Sequence, residues 1–357
     1  MSLKDYFQLT VVYFSLRETD RQWKLSQSTD EYSVRTLKNM RLARLIQRRI
    51  PSFHFSWEIF SVVKEGNPDL VIVNGTYWAP NVIAAIVLNK RKKQTKVAYW
   101  GEPVFESSGL QHFLKRKLLW AVRKYTDFLM VIGSRADKCY RSYGYSKPIY
   151  NIPYNIDTAL FDKSNLNNEL MNKLSAKYKG NGELILLTSG SLINRKGIDT
   201  VIKAFLKVQR GLNASLLIMG DGEEKKNLVE LADANPHIRF IGFQEKEEIP
   251  AWFNLADIFV FASRYDGWGL VINEALAANN AIICSNKVGA AEDVLIDNFN
   301  SYIFDSEDID GLADKIKILI TDPAVRENFK VNSTGAARSL SSAYNAKRVY
   351  EIARDLK

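Results

Sequence analysis

Short apolar runs alternate with amphipathic stretches along almost the whole chain. Nine runs read as strands: residues 9–14, 69–75, 96–102 and 128–134, then 183–190, 214–222, 238–243, 257–263 and 280–285. Almost every run is continuously apolar and ends in a polar or glycine-rich segment. That is the pattern of parallel strands buried on both faces between helices. The alternation occurs twice. Between the two series, Pro153 breaks the pattern and Asn, Lys and Gly accumulate, which places a hinge at residues 150–162. The expected fold is α/β, with two Rossmann-like domains facing across a cleft. The boundaries are 1–158 and 159–342, with a last helix, 343–357, packing back on the first domain. In such sheets ligands bind beyond the carboxyl ends of the strands, so the loops after each run become the candidate site.

The length supports this division, because 357 residues exceed what one hydrophobic core usually spans. Hydrophobic content of 46% and charged content of 25% exclude a disordered class. Charge divides unevenly: residues 1–155 hold 25 basic against 12 acidic side chains, and the remainder 24 against 28. A basic N-terminal half implies an anionic partner. No aromatic-basic repeat or nucleic-acid module accompanies it, so nucleic acid is not the expected partner. Residues 38–49 and 112–125 are apolar on one face and Lys/Arg-rich elsewhere, which suits peripheral docking on an anionic membrane surface. No apolar run is long enough to span a bilayer, the best being 82–88, and no signal peptide is evident; the expected location is cytoplasmic. Cys139 and Cys284 match no metal or disulfide spacing, and His54, His112 and His237 are scattered. No metal site is expected.

Two segments carry chemistry. The first, SGSLINRKGID (189–199), is not a Walker A loop because Lys196 precedes Gly197, and Gly220-Asp221-Gly222 lacks the third glycine of a dinucleotide fingerprint. Arg195 and Lys196 nevertheless follow a strand and precede a helix, where cations can hold a diphosphate. The second is RYDGWGLVINEAL (264–276). Gly267 and Gly269 let the backbone come close to a ligand, and a helix starting near Gly269 or Leu270 turns free amides toward an anion. Glu274, a turn into that helix, can accept hydrogen bonds from paired hydroxyls, and Asp266 from a sugar.

Residues 184–305 resemble the donor-binding domain of the retaining glycosyltransferases of family 4, which have the two-Rossmann-domain GT-B architecture. The counterparts are Gly190-Ser191…Lys196-Gly197, Gly220-Asp221-Gly222, Phe240-Ile241-Gly242-Phe243, and Asp266-x7-Glu274 around Gly267-Trp268-Gly269. The resemblance implies transfer from a nucleotide-sugar to a glycan or lipid-linked saccharide in cell-surface polysaccharide synthesis, with retention and without metal. It needs no cofactor beyond the co-substrate; UDP is the commonest nucleotide in the family and the one expected. Lys196, Asp266, Glu274 and Glu102 become the catalytic candidates. Gly190, Ser191, Arg195, Gly220, Gly222, Phe243, Gly267, Trp268, Gly269, Leu270 and Val271 join Lys196 and Glu274 around the donor. Glu102, closing an N-terminal strand, is the acceptor candidate, and Arg17, Arg21 and Trp23 stand where the family has a glycine-rich loop. The chain departs from the pattern at Ser191 (Arg in the family), Asp266 (Glu), Asn279 and Ala281 (commonly Gly and Pro), and in Val288-Gly289-Ala290-Ala291-Glu292, one glycine short. Those departures leave an alternative: a non-catalytic nucleotide-sugar or glycan binding protein.

Overall fold

The computed structural model describes residues 2–14, 32–47, 49–50, 53–104 and 107–356. It divides into two compact units: Met1–Pro153 with Asn345–Lys357, and Tyr154–Tyr344.

The first unit contains a parallel pair, β1 (Thr10–Tyr13) and β2 (Ser33–Thr36). Its main sheet is parallel, in the order β3 (Leu70–Asn74), β4 (Lys96–Gly101), β5 (Phe128–Val131), β6 (Ile149–Asn151). Successive strand side chains point to opposite faces. Val97, Tyr99, Leu129 and Val131 accordingly join one core with Ile86 and Val122. Ala98, Phe128 and Met130 point the other way, into a core completed by Val349 and Ile352 of the final helix, Ser342–Asp355. Both faces are covered, which is why β4 and β5 read as unbroken apolar runs.

The second unit is built on six parallel strands: β7 (Leu184–Ser189), β8 (Ala214–Met219), β9 (Ile238–Gly242), β10 (Ile258–Phe261), β11 (Ala281–Ser285) and β12 (Ser301–Phe304). Their spatial order is β12-β11-β10-β7-β8-β9, so the chain starts in the middle, builds one edge, and returns to build the other. Leu186, Leu216, Ile218, Ile258, Val260 and Ile283 pack against the helices Ile198–Val208 and Ile309–Thr321. On the other face Phe253, Phe259 and Phe261 stack in succession. Helix starts are locally encoded. The carboxylate of Asp308 accepts from the Gly311 amide at 2.9 Å and that of Asp322 from Val325 at 3.1 Å, with Pro323 at the first helical position.

All nine sequence-derived strands are present. Three more, β2, β6 and β12, come from segments the pattern passes over, and each lies at the edge of its sheet or pair. An edge strand has one strand neighbour and needs no continuous apolar run; β2 alternates exposed with half-buried residues.

Candidate functional site

Strands β7 and β10 are neighbours at the point where the strand order of the second unit reverses. Ligands of open α/β sheets bind beyond the strand ends at such a point. The loops leaving these two strands are the two sequence segments singled out for their chemistry. They are locked together. The Arg264 amide donates to the Arg195 carbonyl at 2.8 Å, and the Ser263 hydroxyl donates to the same oxygen at 3.1 Å. Gly197 permits this approach: its φ is +65°, and a Cβ there would stand 2.1 Å from the Ala262 carbonyl oxygen.

This brings Lys196 and Asp266 into direct contact. Lys196 Nζ donates to Asp266 Oδ2 at 2.6 Å, both side chains being mostly buried. Arg195 Nη1 lies 3.6 Å from that oxygen and donates to the Tyr265 carbonyl at 2.7 Å. Lys196 Nζ also stands 5.2 Å from the centre of the Phe261 ring. The sequence gives these two residues separate tasks, phosphate and sugar; the fold pairs them.

Arg264 is the part that sequence reasoning missed. Its guanidinium grips Asp199 in bidentate fashion, at 2.9 and 3.0 Å, donates to the Asn194 carbonyl at 2.5 Å, and pairs with Glu307 at 2.9 Å. Burial alone would raise the Asp199 carboxyl, but the hydrogen bonds from Arg264 and Lys203 outweigh it and hold its pKa below the ordinary value. Arg264 thus fixes the far side of the loop that presents Arg195 and Lys196. The two residues stand 65 positions apart, one directly beyond a buried strand and the other at the first turn of a helix, and nothing in the sequence links them.

The turn after β10 is clamped by residues 287–290. The Asp266 amide donates to the Lys287 carbonyl at 3.1 Å, the Gly289 amide to the Asp266 carbonyl at 3.0 Å, and the Ala290 amide to the Trp268 carbonyl at 2.8 Å. Gly289 is the glycine this segment keeps, and a Cβ on it would lie 2.1 Å from the Gly267 carbonyl oxygen. Asn279, where glycine is common in the family, adopts φ +55°, a left-handed conformation asparagine tolerates. The Trp268 side chain does not face a ligand. It is 2% exposed, with Nε1 donating to Asn273 Oδ1 at 3.0 Å, while Asn273 Nδ2 donates to the Tyr154 carbonyl at 2.7 Å. The room left by Gly269 (φ +89°) is likewise filled by protein, since a Cβ there would meet Val288 and Phe261. These residues shape the turn from inside. Within the described residues the amides of Gly269, Leu270 and Val271 donate to no other group.

Glu274 sits on the helix Val271–Ala277, mostly buried, and no described side chain or amide pairs with its carboxylate. Burial pushes its pKa up to about 7. A carboxyl group that is mostly buried and unpartnered is costly in its charged form unless a ligand supplies donors.

The remaining loops close over β7, β8 and β9. The Gly190 amide donates to Met219, the Gly220 amide to Gly242, and the Leu192 amide to Asp221, at 3.1, 2.8 and 2.9 Å. A Cβ on Gly220 or Gly222 would overlap the Gly190 or Leu192 carbonyl, at 2.0 and 2.5 Å. Ser191 is exposed, and so is Phe243, just past β9. Glu102 is exposed beyond β4 in the first unit. Arg17, Arg21 and Trp23 lie outside the described residues. Among the described residues no cluster of three His, Cys, Asp or Glu side chains could hold a metal.

Residues 172–335 match the family described as "Glycosyl transferases group 1". Over this segment the chain is similar to the group 1 glycosyl transferases. The chain is 30% identical to the capsular polysaccharide biosynthesis glycosyltransferase CapM of Staphylococcus aureus, over 48% of its own length and 46% of that protein's. It is 27% identical to a GDP-mannose-dependent alpha-(1-6)-phosphatidylinositol monomannoside mannosyltransferase of Mycobacterium tuberculosis, over 58% and 56%. The chain thus spans about half the length of the curated relatives it matches. The fold likeness extends further: Anabaena HepE, solved in complex with UDP, superimposes with a TM-score of 0.75 at 14% identity, over 91% of this chain and 87% of that one. The fold is GT-B, and residues 172–335 carry the loops described above.

Two outcomes follow. Glu274→Gln removes a carboxyl whose folded pKa, about 7, exceeds its ordinary value of 4.5. The folded state therefore favours the protonated form, and parent stability falls as pH rises from 4.5 toward 7. Urea titrations should find the variant more stable than the parent at pH 8, by up to about 3 kcal/mol, and indistinguishable below pH 4.5. Arg264→Gln leaves Asp199 without its bidentate partner. Urea unfolding should report a loss of about 1–3 kcal/mol.

Proposed function

We propose that the protein is a retaining, metal-independent glycosyltransferase that moves a sugar from a nucleotide-sugar to a glycan or lipid-linked saccharide, in the synthesis of a cell-surface polysaccharide or glycolipid. The observation that carries this reading is that the loops and helix beyond one strand-order reversal hold a fixed ammonium, three unbonded amides and an unpartnered carboxylate. Each lacks what a different part of a nucleotide-sugar offers. The diphosphate supplies acceptors for the amides of residues 269–271 and for Lys196 and Arg195. The ribose supplies two hydroxyl donors for Glu274, and the transferred sugar supplies hydroxyls for Asp266.

The Lys196–Asp266 pair is compatible with both assignments. An ammonium has three donors and can keep Asp266 while adding a phosphate oxygen. The pairing fixes Lys196 before the donor arrives, so that little reorganisation remains when charge builds on the departing diphosphate. Preorganised charge of this kind is the main catalytic resource of a site whose chemistry is the loss of an anionic leaving group. Arg195, more exposed, takes the part of the guanidinium that the family carries where this chain has Ser191. We assign UDP as the nucleotide, with support from the UDP in the HepE structure; the GDP-mannose dependence named for the mycobacterial relative keeps guanosine in the screen. Glu102 is our acceptor-side candidate. A lipid-linked acceptor is met at the cytoplasmic face of a membrane, and we assign docking there to the basic N-terminal unit.

A thermal-shift panel of nucleotide-sugars identifies the donor, because a ligand that binds only the folded state raises stability with RT ln(1 + [L]/Kd). With that donor, Lys196→Ala should lower turnover, read as donor hydrolysis or transfer, by roughly 10²- to 10³-fold. Turnover within threefold of the parent removes Lys196 from the mechanism. Tight binding by the parent with no turnover makes the protein a binding module.

A further inference from the structure

The helix Gly109–Leu118 is turned inside out. At 100° per residue, Leu110, Phe113, Leu114 and Leu118 share one face and His112, Lys115 and Leu119 lie on the other. In a surface helix the apolar face packs inward. Here it faces solvent: Leu110 is 72% exposed, Phe113 51%, Leu114 50% and Leu118 46%, and the helix has no buried residue. The opposite face meets the protein, with the His112 ring stacked on Tyr143 at 4.5 Å, Lys115 half-buried and Leu119 wholly so. Trp120 follows at once, 45% exposed, and forms a wall of an apolar groove with Phe60, Ile83, Val87 and Leu88. Trp57, against Phe60 at 5.6 Å, extends the apolar surface.

We infer that this face docks on an anionic lipid bilayer, with Leu110, Phe113, Leu114, Leu118 and Trp120 seated in the interface. Apolar surface on this scale marks a binding face. Its surroundings decide the occupant. Arg116 and Lys117 lie on the same helix, Arg123 and Lys124 on the next, and Lys117 Nζ sits 4.5 Å over the Phe113 ring. Long cationic side chains beside buried apolar ones suit anionic headgroups above acyl chains. A second copy of the same face would bring these cations against one another. The inference rests on the membrane docking proposed above and names the surface that performs it; its test uses neither donor nor acceptor, so the two readings fail separately.

The test is sedimentation of the full chain with vesicles of phosphatidylcholine, with and without phosphatidylglycerol, at low and high salt. The parent should partition onto anionic vesicles, less so at high salt, and onto neutral ones weakly. Phe113→Ser combined with Leu114→Ser should reduce the anionic partition coefficient by about tenfold or more, with the circular dichroism spectrum and thermal midpoint unchanged. The inference is overturned if the parent ignores anionic vesicles, if it binds neutral ones equally well, or if the variant binds like the parent. It is also overturned if light scattering finds a dimer that the variant abolishes, since the face then belongs to a second copy.

Discussion

Everything at the candidate site depends on the Lys196–Asp266 ion pair being placed where two loops leave neighbouring strands of one sheet. The pair spans 70 residues of sequence, and nothing local brings it together. The strand order does: because β7 and β10 adjoin, the loops that follow them emerge side by side. Gly197 lets one loop touch the other, and Arg264 with Asp199 braces the contact from behind. A lysine on an unbraced loop would hold the same charge but not the same position, and position is what electrostatic catalysis uses.

The same sheet sets the contrast between satisfied and unsatisfied groups. The interior of the turn after β10 is fully occupied. Trp268 is bonded to Asn273, Asn273 to the Tyr154 carbonyl, and the space beside Gly269 is filled by Val288 and Phe261. Outside it, three amides and the Glu274 carboxylate have no partner among the described residues. Folded proteins rarely leave mostly buried polar groups unmet. A turn so completed on one side and so open on the other is built for a ligand that brings acceptors and donors in fixed order.

The sequence was legible wherever one residue type has one physical cause. Strands covered on both faces announce themselves by unbroken apolar runs, and all nine such runs are strands. The edge strands β2, β6 and β12 escape because a strand with one neighbour has no such need. The glycine motifs were legible as positions, but their reason was not. Gly269 and Gly289 make room for Val288, Phe261 and the Gly267 carbonyl, which lie close only after folding. The Lys196–Asp266 and Arg264–Asp199 pairs were unreadable for the same reason, since long-range ion pairing leaves no periodic trace. The apolar-basic pattern of residues 112–125 was plain, but it reads equally as a helix with its apolar side inward. The exposure of Leu110, Phe113 and Leu114 and the stacking of His112 on Tyr143 show which way the helix faces.

We propose that the mostly buried carboxyl of Glu274 and the Lys196 cradle receive one nucleotide-sugar. The most direct measurement is calorimetric titration at pH 7 with the nucleotide-sugar that stabilises the protein most, in two buffers of different ionisation enthalpy. With a free-state pKa of about 7, Glu274 is protonated in about half of the molecules, and hydroxyl donors from the ligand favour its ionised form. Binding should therefore release about half a proton, and the Glu274→Gln variant should release none. Binding with no proton release, or with the same release from the variant, would contradict the account.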